Sequence, residues 1–156
     1  MSRQDGMTLV ELAAALLIAG IVALIAVPNY LDLVRSTRAM QAVGDLYAVR
    51  AAAYLNYGDT TTWPPDAAAG IPPQQLLDRL PHGFRFVKEH YKIDWENWIG
   101  ELRKDGDARA GVEVGVSIVS NDQKLLDAVQ RLLSRYYTIR TTPTKMTLQI
   151  AGPSGI

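Results

Sequence analysis

Apolar positions are arranged in three different ways along this chain. From Met7 to Val27 they are almost continuous, with Leu, Ile, Val and Ala dominant and, past Thr8 and Glu11 in the first turn, Gly20 the one interruption before Pro28. That run is about the ~20 residues a membrane-spanning helix needs. From Asn29 to Tyr57 the pattern changes. Leu31, Val34, Val43, Leu46, Val49, Ala53, Tyr54 and Tyr57 recur mainly at steps of three and four, with no proline and Gly44 as the single glycine. This spacing predicts an amphipathic helix that continues the apolar one past Pro28, with a bend there. A helix of ~50 residues is about 75 Å long. The apolar stripe of its outer half needs a cover, and the rest of the chain has to supply it.

Residues 58–81 read as a connecting loop. Pro64, Pro65, Pro72 and Pro73 break it, and a short helix over Gln74–Leu80 is predicted after the last proline pair. Phe84–Val87 and the residues around Ile93 are candidate strands, and Lys104-Asp105-Gly106-Asp107 is a turn. Val112, Val114, Val116 and Ile118 alternate and predict a strand. Ser120 to Gln123 resembles a capping box, with Ser120 as cap and Gln123 reaching back, ahead of a helix through Leu125, Leu126, Val129, Leu132 and Leu133. Tyr136–Arg140 and Lys145–Ile150 make two further strands around a Thr-Thr-Pro-Thr turn. A helix between strands permits a parallel crossover. The predicted class is α+β: a long N-terminal helix packed on a small, mainly antiparallel sheet in residues 82–156, with an extra C-terminal helix.

Bulk composition narrows the chemistry. Acidic and basic residues balance at 16 each, so net charge gives no reason to expect a nucleic-acid or acidic partner. No cysteine is present, which excludes disulfides and thiol catalysis. No nucleophile–base pair, phosphate loop or zinc spacing appears, and His82 and His90 have no companions at ligand spacing. An enzyme, a cofactor and a resident metal are therefore not expected.

The informative residue is Glu11, close to the start of a run that is uncharged from Leu12 to Tyr30. A cleaved secretory signal fits poorly, because such an apolar core is about 7–15 residues and Arg3 is offset by Asp5. A plain anchor has no use for a carboxylate that costs about 2.5–3.5 kcal/mol at mid-membrane. Glu11 is one turn from Met7, so solvation by headgroups is the bland alternative.

Gly6-Met7-Thr8-Leu9-Val10-Glu11-Leu12 resembles the processing motif of type IV prepilins. The likeness covers Gly6 to about Pro28, under a fifth of the chain. It implies a leader of residues 1–6, cutting between Gly6 and Met7 by a prepilin peptidase, and methylation of the new N-terminus at Met7. Glu11 becomes the fifth residue of the processed chain and the filament-assembly residue. Met7 departs from the more usual Phe, and Pro28 stands where the family commonly has a helix-kinking proline. The implied setting is a single-pass inner-membrane subunit, membrane half 7–27 within a helix over 7–57, with its C-terminal domain in the periplasm. Arg35 and Arg38 against Arg3 run counter to the positive-inside count. The implied partners are copies of itself and other pilin-like subunits. The missing cysteines and the extra helix tilt the reading toward a type II secretion pseudopilin or minor subunit rather than a major pilin.

Three other groups carry candidate chemistry. Asp105 and Asp107, with Glu113 downstream, are thin for a calcium loop of the kind some pseudopilins carry, and a solvated turn is the expectation. Trp63, Tyr91, Trp95 and Trp98 lie near Arg85, Lys88 and Lys92, but Glu89, Asp94, Glu96 and Glu101 cancel the charge, so core or interface aromatics are expected over single-strand binding. Arg131, Arg135 and Arg140 read as a basic end to the last helix. The function expected is a structural filament subunit. The alternative is an uncleaved, signal-anchored binding or sensor domain.

Overall fold

The computed structural model describes residues 7–99 and 113–152. Element order is α1 (Leu9–Thr60), α2 (Gln74–Leu77), β1 (Lys92–Asn97), β2 (Val114–Val119), α3 (Gln123–Leu133), β3 (Ile139–Thr141) and β4 (Lys145–Ala151). The class is α+β, as the apolar pattern predicted. The chain divides into one unit up to Arg35 and a second from Ser36 onward.

The first unit is the apolar half of α1. Its large side chains are exposed throughout, from Leu9 to Leu33. Pro28 lies inside the helix and donates no N–H to the turn before it. Beyond it Arg35 is paired with Asp32 at 2.8 Å, one turn apart.

The second unit is built on the amphipathic half of α1. Ala39, Ala42, Leu46, Val49, Ala52 and Ala53 are buried in one core with sheet residues Ile93, Trp95, Val116, Ile118, Met146 and Leu148. α3 adds Leu125, Leu126, Val129 and Leu133 to the same core. The buried stripe of α1 is thus mostly alanine, with Leu46 and Val49 its larger members. The connecting loop is pinned to β1 at several points. Trp95 Nε1 donates to the Pro64 carbonyl at 3.0 Å, the Asn97 N–H to Asp66 at 2.9 Å, and the Gly70 N–H to the Ile93 carbonyl at 2.8 Å.

All pairings in the sheet are antiparallel, in the order β1-β2-β4-β3. β2 and β3 therefore run parallel, as a helical crossover allows, but β4 lies between them. Four local predictions are corrected. α1 runs three residues past Tyr57, and α2 stops at Leu77. Phe84–Val87 is not a strand. It reaches β1 by an isolated bridge from Val87 to Lys92, and the Ile93 carbonyl beyond that bridge is taken by the Gly70 N–H. Ser120 is not the cap of α3. Its hydroxyl is committed to the His90 carbonyl at 2.7 Å, and Asp122 caps instead, accepting from the Leu125 N–H. Gln123 turns forward to Asp127 rather than back.

The alternation along β2 predicts one covered face, yet both are buried. The second face is polar. Asp94, Ser117, Thr147 and Arg140 form one cross-strand row. Ser117 Oγ donates to Glu96 at 2.9 Å and shares a 2.7 Å hydrogen bond with Thr147. Lys145 Nζ meets Asp94 at 2.8 Å and is also paired with Glu96. Asp94 and Glu96 are both buried, and Asp94 Oδ1 has no hydrogen-bond partner.

A second polar tie fastens α1 to the sheet. Tyr91 donates its hydroxyl to Asp45 at 2.6 Å, and Lys88 pairs with the same carboxylate at 2.9 Å. Burial, and then the Asp45 carboxylate, push the Tyr91 phenol far above its ordinary range. A folded pKa raised above the unfolded value gives stability that is complete below about pH 10 and lost as pH climbs past it. We expect Tyr91→Phe to cost about 1–2 kcal/mol near neutral pH and to remove that alkaline loss. Urea midpoints of both proteins from pH 8 to about pH 11 check this; parallel curves would contradict it.

Candidate functional site

The N-terminal motif places a polar pair at the start of an apolar helix. Four N–H groups at a helix start have no partner within the helix. Thr8 and Glu11 answer this as a reciprocal cap. The Thr8 N–H and the Thr8 hydroxyl each donate to Glu11 Oε2 at 2.8 Å. The Glu11 N–H donates back to Thr8 Oγ1 at 3.3 Å, and the first helical bond runs from the Leu12 N–H to the Thr8 carbonyl at 3.0 Å. This is a capping box, with Thr8 as cap and the glutamate three residues on. Glu11 also sits in the first turn, where the helix dipole favours negative charge.

The sequence reading assigns Thr8 no role, although Thr-x-x-Glu ahead of an apolar run is a capping signature in its own right. Both Thr8 bonds fall on one carboxylate oxygen, so Oε1 takes neither. Glu11 is thereby held in one orientation beside the helix start while keeping an oxygen for another donor.

Among the described residues α1 is the helix long and apolar enough to cross a membrane, and its apolar window has no buried residue. Such a helix fits a single-pass anchor. Met7 precedes the cap and is exposed. Gly6 lies outside the described residues, as do Asp105 and Asp107. Glu113 leads into β2, its N–H bonded to the Ala151 carbonyl and its own carbonyl accepting from the Trp98 N–H. Among the described residues no group of three or more His, Asp or Glu side chains is gathered as metal ligands would be.

The remaining candidates go to the core or apart. Trp95 is fully buried, and Tyr91 nearly so. Trp63 stacks on Tyr57 with ring centres 4.4 Å apart. Lys88 is spent on Asp45 and lies over the Phe84 ring at 4.7 Å. These contacts match the expectation of core aromatics. The arginine cluster is corrected. Only Arg131 lies in the last turn of α3, which stops at Leu133, whereas Arg140 is on β3. Their roles at the helix end therefore do not add.

The comparisons with known proteins bear on the N-terminal segment alone. Residues 1–27 match the prokaryotic N-terminal methylation motif family. No curated protein and no solved structure matches the chain. The matched segment contains the Gly6–Met7 junction, the Thr8–Glu11 cap and nearly all of the apolar run, and with it the chain carries the N-terminal signature of a type IV pilin-like protein.

Proposed function

We propose that this chain is a structural subunit of a type IV pilus-like filament or secretion pseudopilus. In this reading a prepilin peptidase removes residues 1–6, Met7 becomes the methylated N-terminus, and residues 7–27 hold the subunit in the inner membrane. The helix, which ends at Thr60, then leads through a connecting segment to a periplasmic domain in residues 82–156. The observation that carries the proposal is the Glu11 carboxylate, fixed by Thr8 at the head of a helix whose apolar surface is otherwise uncovered. Both members of the cap lie beyond the cut, so cutting leaves the cap in place.

Cutting creates an amine at Met7. An amine and a carboxylate are each costly in lipid, and pairing the amine of one subunit with Glu11 Oε1 of another neutralises both. The net energy is small after desolvation, and the pair acts mainly to set register. A hinge at Pro28 would let the membrane half adjust to its neighbours.

The outer half of α1 supports the same reading. Met40, Gly44, Tyr47, Ala51, Leu55 and Gly58 recur at helical steps, are exposed, and carry no charge. Asp45, Arg50 and Asp59 on this half are engaged within the subunit, by Lys88 and Tyr91, by the rings of Tyr54 and Tyr137, and by Arg79. What remains outward is a neutral strip of alternating large and small residues that suits another helix.

The N-terminal mass of the membrane-extracted protein tests the proposal. A chain beginning at Met7 with one added methyl group is expected. A chain that retains residues 1–6 would sink it in favour of the uncleaved binding or sensor domain.

A further inference from the structure

The sheet has two outer strands, and the chain treats them differently. β1 is closed off by its own connecting segment. The Ile93 N–H donates to the Phe86 carbonyl at 2.8 Å, the Ile93 carbonyl accepts from the Gly70 N–H, and the Asn97 N–H donates to Asp66. β3 is bonded on one side alone. Along an antiparallel pair, successive residues alternate between facing the neighbouring strand and facing away from it. The Thr138 carbonyl accepts from the Gln149 N–H at 3.1 Å, and the Thr142 N–H donates to the Lys145 carbonyl at 2.7 Å. With Arg140 opposite Thr147, the residues turned to β4 are Thr138, Arg140 and Thr142. Ile139 and Thr141 therefore turn their N–H and C=O groups outward, and among the described residues no backbone group bonds to them there.

The surroundings of this open edge carry charge of one sign. No acidic residue occurs from Ala128 to Ile156, while Arg131, Arg135, Arg140 and Lys145 do. Lys145 is spent on Asp94 and Glu96. Arg131, Arg135 and Arg140 are exposed, and none is paired with an acid among the described residues. Arg140 stands on the edge strand itself. Arg135 and the exposed Tyr136 lie in the turn that leads into it.

The two features select one kind of partner. An exposed strand edge is a template for another strand, because a peptide backbone presents the matching donors and acceptors. A nucleic acid or a lipid headgroup has no such ladder. The unpaired arginines then call for acids on the incoming strand, since opposite charges across a strand pair stabilise it. A second β3 is the wrong occupant. An antiparallel pair of these three-residue strands, centred on their middle residue, sets Arg140 against Arg140. We propose that the free edge of β3 takes up an extended acidic segment of another protein as an added strand, with an acidic side chain beside Arg140. Because this edge belongs to a single subunit, such binding does not depend on filament assembly.

The test uses the full chain in a zwitterionic detergent and a short fluorescent peptide that alternates glutamate and valine. Saturable binding is expected by fluorescence anisotropy, with Kd below about 1 mM. The same peptide methylated at its backbone nitrogens keeps its charge and loses its donors. It is expected to bind at least about tenfold more weakly. Thr141→Pro removes an outward N–H at a place on an edge strand where proline is tolerated, and it leaves the bonds to β4 intact. It is expected to weaken binding by a similar factor with little change in Tm. Arg140→Glu is expected to exchange the preference, so that a lysine–valine peptide binds better than the glutamate one. Failure of the glutamate peptide to bind overturns the proposal. Equal affinity for the methylated peptide, or an unchanged preference in Arg140→Glu, overturns it as well. Displacement of the peptide by oligothymidylate, with equal affinity for wild type and Thr141→Pro, would make the arginines a general polyanion surface and sink the edge assignment. Should Thr141→Pro fail to fold, the methylated peptide decides the matter on the wild-type chain.

Discussion

Glu11→Gln is expected to abolish filament incorporation while leaving cutting, methylation and membrane insertion in place. The amide can still accept both Thr8 bonds, because glutamine serves at this position of a capping box as glutamate does. Helix start and membrane run are therefore preserved, and the loss is one of charge. The amine of the neighbouring subunit would then be buried in lipid without a counter-ion. At ~2.5–3.5 kcal/mol for an uncompensated charge at depth, and a tenfold change per 1.4 kcal/mol, incorporation should fall by roughly a hundredfold. Glu11→Ala removes cap and charge together and should be at least as severe. Sheared filaments compared with membrane-bound protein give the readout. Normal incorporation of Glu11→Gln would mean that the cap, and not the charge, is what assembly needs.

The second large effect lies on the polar face of the sheet. Lys145→Met should destabilise the outer domain by about 3 kcal/mol, the lower end for breaking a buried ion pair. The lower end is appropriate because the Lys145 side chain is 29% exposed, whereas those of Asp94 and Glu96 are 10% and 5% exposed. Losing the lysine leaves two carboxylates near each other, with one oxygen of Asp94 already unpartnered. In a domain of this size the midpoint should fall by on the order of 10 °C. Adding Asp94→Asn and Glu96→Gln to the same protein should recover most of the loss, since neutral amides carry no such charge penalty. Thermal unfolding of the two variants in detergent checks the pair of outcomes. An unchanged midpoint in Lys145→Met would show that water, rather than the lysine, solvates the two acids.

These two sites differ in how readable they were from the chain. Glu11 stood out because a carboxylate beside an uncharged run contradicts its surroundings, and contradictions are visible in one dimension. Helices α1 and α3 were legible for a related reason: their apolar spacing is local and repeats several times. The Lys145–Asp94 contact joins residues 51 apart. Nothing in either local sequence names the other, so Asp94 and Glu96 read only as charges offsetting nearby lysines. Strand pairing is hidden in the same way. The alternation at Val114, Val116 and Ile118 gave a strand, but its neighbours depend on how distant segments return. Ser120 and Asp122 show a smaller limit. Both can cap a helix, and the choice turned on the His90 carbonyl, thirty residues away, which claims the serine.

The place of β4 also sets a schedule. Among the described residues it is the last strand in the sequence and an inner strand of the sheet, bonded to β2 on one side and β3 on the other. Neither of those strands meets the other without it. A chain made from N- to C-terminus can form its long helix and its β1–β2 pair early, but β2 has no second partner, and β3 has none, until residues 145–151 are free. Closure of the sheet thus waits for residues 145–151. A chain stopped before that point would hold an unpaired β2 edge and an α1 stripe covered only in part, which are the features that invite wrong pairing and proteolysis.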